Sequence, residues 1–272
     1  MLLFYPQQLV IPDIVLYYCF MKFGILNELF ASIQGEGPWV GERHIFVRFQ
    51  GCDLHCCFCD TPASGSRVPG YEGPEFFMAQ VSPGYSSLRE QVANPVFPSR
   101  LTELCSRLSV HGPSQQTLSL TGGEPLLQGD FLAEWLPQVA NVFRIFLETG
   151  GVHAEALKKI ITSIDVVSMD FKLPSSTKMR SFWDEHDRFL DAASAAKLVV
   201  KAVVTHATSM DDVIVAARLI AAHDASIPFI LQPAAGAWAP EVKALVEYQD
   251  AALSIIKDVR VIPQMHKILK VP

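Results

Sequence analysis

The chain has 272 residues, 50% of them hydrophobic, with 22 Lys+Arg against 28 Asp+Glu. This composition supports a sizeable buried core and excludes the disordered class, in which apolar residues are scarce and net charge is high. The formal net charge of −6 argues against broad electrostatic contact with nucleic acid or an anionic membrane, since both need clustered cations. We therefore expect a small-molecule partner, with no direct nucleic-acid binding and no membrane association.

Residues 1–20 are apolar but fit neither a signal peptide nor a membrane span. They lack a cationic beginning, and Pro6, Pro12 and Asp13 interrupt the apolar run. Orderly patterns begin after Met21, so we interpret residues 1–20 as an extension, and one hypothesis is that it lies upstream of the true start. We expect a cytoplasmic protein with a single domain over residues 21–272.

From Phe23 onward, short β-branched and aromatic runs alternate with longer helical patterns, which is typical of βα units and a mostly parallel sheet. The predicted strands cover residues 45–49, 117–120, 144–147, 165–169, 198–204, 228–231 and 259–262. Ser209 is a plausible N-cap for a helix that continues to residue 222, and an apolar stripe predicts another helix over 239–256. About six βα repeats fit an α/β fold of the barrel or partial-barrel kind.

Two further helical patterns have apolar residues that we expect to face the core. These residues are Leu101, Leu104, Cys105 and Leu108 in the first pattern, and Phe131, Leu132, Trp135, Leu136 and Val139 in the second. The first pattern ends an otherwise irregular stretch, residues 62–116, which is rich in proline, glycine and serine. We interpret this stretch as an insertion or lid, because a loop of such length is usually functional or disordered.

Four of the six cysteines lie within eight residues, too close together to link distant segments by disulfides. They directly follow the predicted strand 45–49, at the edge of an α/β sheet where sites are built. Cys52, Cys56 and Cys59 have three and then two residues between them, so three thiolates can converge on one iron–sulfur cluster. One iron would then lack a protein ligand and could bind a small chelating molecule.

A structural zinc site is the alternative interpretation of this loop. Zinc would take a fourth protein ligand, which could be Cys57 or His55. Adjacent thiolates chelate one ion awkwardly, so Cys57 is more simply a spectator. Either metal is expected in a reducing compartment.

A second motif, Thr121-Gly122-Gly123-Glu124-Pro125, follows the predicted strand 117–120. Paired glycines let the backbone approach a ligand without obstruction by Cβ, and Glu124 could accept a hydrogen bond from an ammonium group. A Gly-Gly turn is weak evidence by itself.

Two polar features precede the cysteines. The turn Gln34-Gly35-Glu36-Gly37 offers an amide and a carboxylate, which suit the donor and acceptor edge of a pterin or guanine-like ring. Arg48 could bind a substrate carboxylate through two parallel hydrogen bonds. A polar hairpin turn and a solvent-facing strand arginine are the alternatives.

Together, the CxxxCxxC loop and the Gly-Gly-Glu-Pro motif resemble those of the radical S-adenosylmethionine superfamily. The resemblance implies a partial, modified βα barrel with a [4Fe-4S] cluster on Cys52, Cys56 and Cys59. It also implies that S-adenosylmethionine chelates the open iron and is reductively cleaved to a 5′-deoxyadenosyl radical. Glu124 would help to hold the amino group of S-adenosylmethionine, and Phe58 would contact its adenine.

The wider run SIQGEG, FVRFQGC and CDT resembles the 7-carboxy-7-deazaguanine synthase family of the queuosine pathway. The resemblance implies a lyase that converts 6-carboxy-5,6,7,8-tetrahydropterin to 7-carboxy-7-deazaguanine with loss of ammonia, by hydrogen abstraction at C6 and radical ring contraction. It further implies Mg²⁺, a homodimer and an electron donor of the flavodoxin or ferredoxin type.

The resemblance assigns no protein side chain as the catalytic group, because the cofactor carries the radical. Thr61 would ligate Mg²⁺, and the C-terminal carboxylate of Pro272 would reach the substrate. The remaining substrate-binding residues would be Ile33, Gln34, Gly35, Glu36, Arg48 and Thr121. The residues around S-adenosylmethionine would be Phe58, Cys59, Asp60, Gly123, Glu124, Asp170, Phe171, Lys172, Gln232, Pro233, Ala234 and Ala235.

Two rival functions stay open at this point. A glycyl-radical-enzyme activase shares the CxxxCxxC loop but acts on a partner protein, and the QGEG turn and the C-terminal proline favour the small-molecule enzyme instead. A non-catalytic iron or zinc module is the other rival. His266 stays outside the predicted site, because a lone histidine near a terminus is more often a surface or packing residue.

Overall fold

A computed structural model describes residues 22–65, 73–84, 88–110 and 116–272. The extension predicted at residues 1–20 lies outside the described residues, as do parts of the predicted insertion. One sheet runs through the described part of the chain. Its strands are β1 (Leu26–Ile33), β2 (Arg43–Phe49), β3 (Phe76–Gln80), β4 (Arg89–Ala93), β5 (Thr117–Gly122), β6 (Arg144–Thr149), β7 (Val166–Asp170), β8 (Lys197–Val204), β9 (Phe229–Pro233) and β10 (Val259–Val261).

The spatial order of the strands is β10-β9-β8-β7-β6-β5-β2-β1-β3-β4. From β2 to β10 the neighbouring strands are parallel, whereas β1 runs antiparallel to β2. The parallel strands are separated in sequence by helical segments, because parallel neighbours need a long crossover connection. The α/β class and the mostly parallel sheet are thus confirmed.

Helices connect the strands, and most of them pack on the sheet to close the main core. They are α1 (Pro98–Arg107), α2 (Gly129–Val139), α3 (Ala154–Ile160), α4 (Pro174–Thr177), α5 (Trp183–Ala193), α6 (Met210–Asp224), α7 (Val242–Leu253) and α8 (Met265–Leu269). The apolar residues that were predicted to face the core from the first two helical patterns are all no more than 2% exposed. The Ser209 hydroxyl accepts from the Asp212 N–H at 3.2 Å, which confirms the predicted cap of α6. No helix in the described ranges is both long and apolar enough to cross a bilayer.

All seven predicted strands are confirmed, with ends that agree to within two residues. Three strands at one side of the sheet were not predicted. β1 contains Asn27, Glu28 and Ser32, and β4 contains three polar or charged residues, so neither shows a clear apolar pattern. The described part of the predicted insertion forms the β3–β4 hairpin and α1, and β3 pairs in parallel with β1. This part of the insertion therefore extends the sheet.

Candidate functional site

A cavity of about 260 Å³ lies on the inner face of the sheet and opens at the carboxyl ends of the parallel strands. Open α/β sheets bind their ligands at this edge, because the loops that follow the strands converge there. The cavity collects nearly all of the predicted site residues into one place. Its lining includes Ile33, Gln34, Gly35, Glu36, Arg48, Cys52, Cys56, Phe58, Cys59, Asp60, Thr61, Thr121, Gly123, Glu124, Asp170, Lys172, Gln232, Ala234, Ala235 and Pro272.

Two residues predicted to surround S-adenosylmethionine do not line the cavity. The Phe171 ring is 1% exposed and stacks on the ring of His186, with centroids 4.4 Å apart, so it belongs to the core. The alternation of side chains after β7 directs Asp170 and Lys172 to the cavity and Phe171 away from it. Pro233, the last residue of β9, is likewise absent from the lining while its neighbour Gln232 is present.

The three cysteines at CxxxCxxC spacing share one wall of the cavity. Within the described ranges, no three cysteine sulfurs lie within 4.8 Å of one another. Tetrahedral zinc, at about 2.3 Å from each sulfur, would draw its ligands closer together than this. Three sulfurs that bind three different irons of one cluster stand farther apart than this, so the arrangement is compatible with a cluster.

The two candidates for a fourth zinc ligand point elsewhere. The Sγ of Cys57 donates to the carbonyl of Ser176 at 3.3 Å, and His55 is exposed; neither residue lines the cavity. Burial raises the pKa of the Cys52 thiol to about 11, and a bound metal would favour its thiolate form. The metal donors that the cysteine loop offers to the cavity are therefore the three thiols of Cys52, Cys56 and Cys59.

Glu124 is the buried carboxylate of the glycine-rich motif. Its Oε1 accepts from the Leu126 N–H at 3.1 Å and from the Thr149 hydroxyl at 2.8 Å, and its Oε2 accepts from the Gly150 N–H at 2.7 Å. Burial raises the pKa of Glu124, and these donors oppose the rise. The carboxylate is thus held rigidly at the cavity wall, where it can accept from an ammonium group.

The glycine pair lets the motif lie against the end of the cysteine-bearing strand. A Cβ on Gly123 would come within 2.0 Å of the Gly51 carbonyl oxygen, and Gly122 has a φ of +127°. The N–H of Glu124 donates to the same carbonyl at 2.7 Å. The sequence predicted that these glycines let a ligand approach the backbone. In the structure they let the glycine-rich motif pack against the backbone of the cysteine-bearing segment.

A chain of buried charges crosses the cavity floor from the cysteine side to the QGEG turn. The Nζ of Lys172 lies 3.0 Å from Oδ2 of Asp170, which lies 3.5 Å from the Nζ of Lys201. Lys201 in turn donates to Oε2 of Glu36. Burial works against ionisation of Glu36, but Lys201 and the amide of Gln264 outweigh burial and lower its pKa to about 2. Asp170 and Glu36 likewise outweigh burial and raise the pKa of Lys201.

Glu148, at the end of β6, fixes two of the predicted substrate-binding residues. It accepts from the Gln34 side-chain amide and from the Thr121 hydroxyl, each at 2.9 Å. Burial raises the pKa of Glu148, and the nearby charge of Glu36 raises it further. Glu36 and Glu148 therefore place two hydrogen-bond-accepting carboxylates at this end of the cavity, with the ammonium group of Lys201 near both.

The C-terminal segment closes the cavity beside the QGEG turn. The Met265 N–H donates to the Gly35 carbonyl at 2.8 Å, and a Cβ on Gly35 would lie 2.5 Å from the His266 ring. Pro272, whose carboxylate was predicted to reach the substrate, lines the cavity.

Beside this turn, Glu36, Asp60 and His266 form the one group of three described metal-ligand side chains whose donor atoms lie within 4.8 Å. Lys201 and Lys267 already balance the two carboxylates. A divalent cation would therefore have to displace these ammonium groups.

The cavity residues that sequence reasoning missed include the polar side chains of Lys201, Glu148, Gln264 and His266. Lys201 did carry a signal, because it is a cation in the middle of the otherwise apolar run LVVKAVV. His266 was excluded as a lone histidine, yet the packing of α8 on Gly35 brings it into the site. Gln264 shows no local pattern that would have indicated its role.

Comparisons with known proteins agree with this geometry. Residues 46–214 match the Radical SAM superfamily. The chain is 36% identical over 249 residues to the 7-carboxy-7-deazaguanine synthase of Geobacter sulfurreducens, covering 90% of this chain and 96% of that protein. It is 36% identical over 251 residues to the enzyme of that name from Methanopyrus kandleri, covering 89% of this chain and 92% of that protein.

A solved structure, the crystal structure of QueE from Escherichia coli, has the same fold. The TM-score is 0.53 at 19% sequence identity, over 92% of this chain and 97% of the other. This likeness and the superfamily match confirm the predicted partial βα barrel.

Proposed function

Because the chain belongs to the 7-carboxy-7-deazaguanine synthase family of the radical S-adenosylmethionine superfamily, we propose that it converts 6-carboxy-5,6,7,8-tetrahydropterin to 7-carboxy-7-deazaguanine in the queuosine pathway. One observation carries the proposal: a single cavity joins the cysteine triad, the Glu124 carboxylate, the QGEG turn, Arg48 and the C-terminal Pro272. The cavity therefore has a cofactor half, formed by the cysteines and Glu124, and a substrate half, formed by the QGEG turn, Arg48 and Pro272.

The cofactor half fits an iron–sulfur cluster with S-adenosylmethionine. Cys52, Cys56 and Cys59 would hold the cluster, and Glu124 would accept from the amino group of S-adenosylmethionine. When bound, these groups supply the radical that removes hydrogen from a substrate carbon. The protein holds Glu124 in place through Thr149 and Gly150 and lines the rest of the space with Phe58, which can contact an aromatic base.

The substrate half offers groups that match a carboxylated pterin. Glu36 stays ionised beside Lys201 and can accept from ring N–H groups, while the Gln34 amide is held by Glu148. Arg48 provides the cation for the substrate carboxylate. The reaction is a hydrogen abstraction at C6 followed by ring contraction. Substrate and product differ by one ammonia, so the overall conversion needs no net oxidant and S-adenosylmethionine is regenerated.

Thr61 is the proposed ligand of Mg²⁺. It follows the last cluster cysteine, lines the cavity, and its hydroxyl lies 3.9 Å from the Cys59 sulfur. A single hydroxyl binds Mg²⁺ weakly, so substrate oxygens and water must complete the shell. Chelation of Mg²⁺ should slow turnover without removing the cluster.

A one-electron donor of the flavodoxin or ferredoxin type and a homodimeric assembly complete the proposal. Both come from the family resemblance.

The test is an anaerobic assay of the iron–sulfur-reconstituted protein with 6-carboxytetrahydropterin, S-adenosylmethionine, Mg²⁺ and a reductant. We expect 7-carboxy-7-deazaguanine by mass spectrometry, and its loss in the Cys56→Ala variant. Reductive cleavage of S-adenosylmethionine to 5′-deoxyadenosine without any deazaguanine would reject this substrate and favour the activase. Failure of the reconstituted protein to bind S-adenosylmethionine would favour a non-catalytic module.

A further inference from the structure

The β3–β4 hairpin brings a second guanidinium group to the substrate half of the sheet. Arg89 begins β4, and its Nη1 donates to Oε1 of Glu28 at 2.6 Å. Glu28 pairs across β1 and β2 with Arg48, and its Oε2 lies 3.5 Å from Nε of Arg48. One carboxylate therefore lies between two arginines. Arg48 lines the cavity, whereas Glu28 and Arg89 do not.

A single aromatic ring supports both guanidinium groups. Phe30 is 1% exposed and stacks on Phe46, with ring centroids 5.1 Å apart. The guanidinium carbons of Arg48 and Arg89 lie 5.5 and 5.6 Å from the centroid of Phe30. Contact with the ring favours a restricted position for each cation. Glu28, Phe30, Arg48 and Arg89 therefore form one connected group, in which Phe30 and Arg48 line the cavity and Glu28 and Arg89 do not.

Glu28 and a substrate carboxylate would compete for the same guanidinium group. Within the described residues, Glu28 is the one carboxylate at ion-pair distance from Arg48. The contact is long and uses Nε, because the short contact of Glu28 is with Arg89. If Arg89 were absent, the full charge of Glu28 would be directed at Arg48 and would weaken its attraction for another anion.

We propose that Arg89 is a positioning residue for the substrate carboxylate: by neutralising Glu28, it keeps Arg48 available to bind that carboxylate. This inference rests on the proposed function, since it takes Arg48 as the partner of the substrate carboxylate. It also gives a role to part of the predicted insertion, because Arg89 comes from within residues 62–116.

The test measures binding of two unreactive ligands to the reconstituted protein in the presence of S-adenosylmethionine. 6-Carboxypterin carries the carboxylate, and pterin is the matched ligand without it. We expect Arg89→Ala to raise the Kd for 6-carboxypterin about fivefold to tenfold, a change of the size that one ordinary hydrogen bond contributes, because Arg48 is weakened and not removed. The Kd for pterin should stay at the wild-type value. Adding Glu28→Gln to Arg89→Ala should restore the binding of 6-carboxypterin.

Each other outcome overturns the inference. An unchanged Kd for 6-carboxypterin in Arg89→Ala would show that Glu28 does not compete. Equal weakening of both ligands would show that the hairpin only shapes the cavity. Lack of rescue by Glu28→Gln would show that Arg89 contacts the ligand directly. Arg107→Ala is the matched control, because it removes an ion pair with Glu90 of the same strand without touching Glu28.

Wild-type turnover is measured separately. Absence of product from 6-carboxytetrahydropterin, with the expected binding pattern intact, would reject the proposed function. Normal turnover with no effect of Arg89→Ala on binding would reject the role of Arg89 alone.

Discussion

Lys201 and Glu36, 165 residues apart in the chain, form an ion pair inside the cavity. The pair joins the centre of β8 to the QGEG turn, and Lys201 also lies beside Asp170 at the cofactor side. One ammonium group therefore links the substrate half of the site to the cofactor half. Its removal would leave the buried Glu36 carboxylate without its ammonium partner, whereas Asp170 would keep Lys172.

Lys201→Met should reduce both stability and turnover. Removing one partner of a buried ion pair lowers the free energy of unfolding by about 3–5 kcal/mol, so the melting temperature should fall. We expect kcat/KM for the pterin to fall about a hundredfold, equivalent to ~3 kcal/mol. Lys197→Met, at the exposed start of the same strand, is the control and should keep wild-type turnover. The double variant Glu36→Gln with Lys201→Met should regain stability but not turnover; recovery of both would contradict the assigned role.

The pH dependence of substrate binding should distinguish the same variant from the wild type. The pKa of Glu36 is lowered from 4.5 to about 2, so the stability that its ionised form contributes is present above about pH 4.5 and is lost as the pH falls toward 2. Wild-type KM should therefore show no titration of Glu36 between about pH 6 and 8. Lys201→Met removes the ammonium group that counteracts burial, so the pKa of Glu36 rises. Glu36 then becomes protonated as the pH falls, and KM should increase. A flat KM profile in the variant would argue against this account.

Glu124→Gln should weaken S-adenosylmethionine binding without loss of the cluster. The substitution removes the negative charge that would accept from the ammonium, and its amide would face the Gly150 N–H. We expect the Kd for S-adenosylmethionine to rise about tenfold, with unchanged iron content. Glu155→Gln, an exposed carboxylate on α3, serves as control. A wild-type Kd for S-adenosylmethionine in Glu124→Gln would show that Glu124 does not bind this cofactor.

Cys57→Ser should retain the cluster, whereas Cys56→Ser should lose it. The Cys57 sulfur bonds to the Ser176 carbonyl outside the cavity, and the Cys56 sulfur belongs to the cavity wall. Iron and sulfide analysis with visible absorbance spectroscopy measures both variants. Loss of iron in Cys57→Ser, or retention in Cys56→Ser, would contradict the assignment of ligands.

A peptide tag appended to Pro272 should depress turnover while leaving the cluster spectrum intact. The C-terminal residue lines the cavity, and an added residue would remove its free carboxylate and crowd the site. The same tag at the N-terminus is the control. Full activity of the C-terminally tagged protein would show that the Pro272 carboxylate does not serve the substrate.

The parts of the site that were predictable from the sequence are contiguous motifs at strand ends. Cys52, Cys56 and Cys59 share one loop, and Gly123 and Glu124 follow β5 directly, so local spacing alone brings each group to the correct edge. The strands before these motifs are apolar and buried, and their periodicity is visible without any tertiary information.

The missed parts depend on contacts between distant segments. β1, which interleaves polar and apolar residues, and the mostly polar β4 become strands because their neighbours in the sheet pair with them, and β-propensity depends strongly on such context. His266 enters the site only because α8 packs on Gly35. The Phe171 ring turns into the core because it alternates with Asp170 and Lys172, a detail that the motif alone did not reveal.

The most direct test of the central claim is a stoichiometric turnover measurement. Anaerobic reactions of the reconstituted protein would be sampled over time for 7-carboxy-7-deazaguanine, ammonia and S-adenosylmethionine. The account predicts product and ammonia in equal amounts while S-adenosylmethionine is regenerated, with neither product formed in Cys56→Ala. Consumption of S-adenosylmethionine in step with 5′-deoxyadenosine, with no ammonia or deazaguanine released from the pterin, would contradict it.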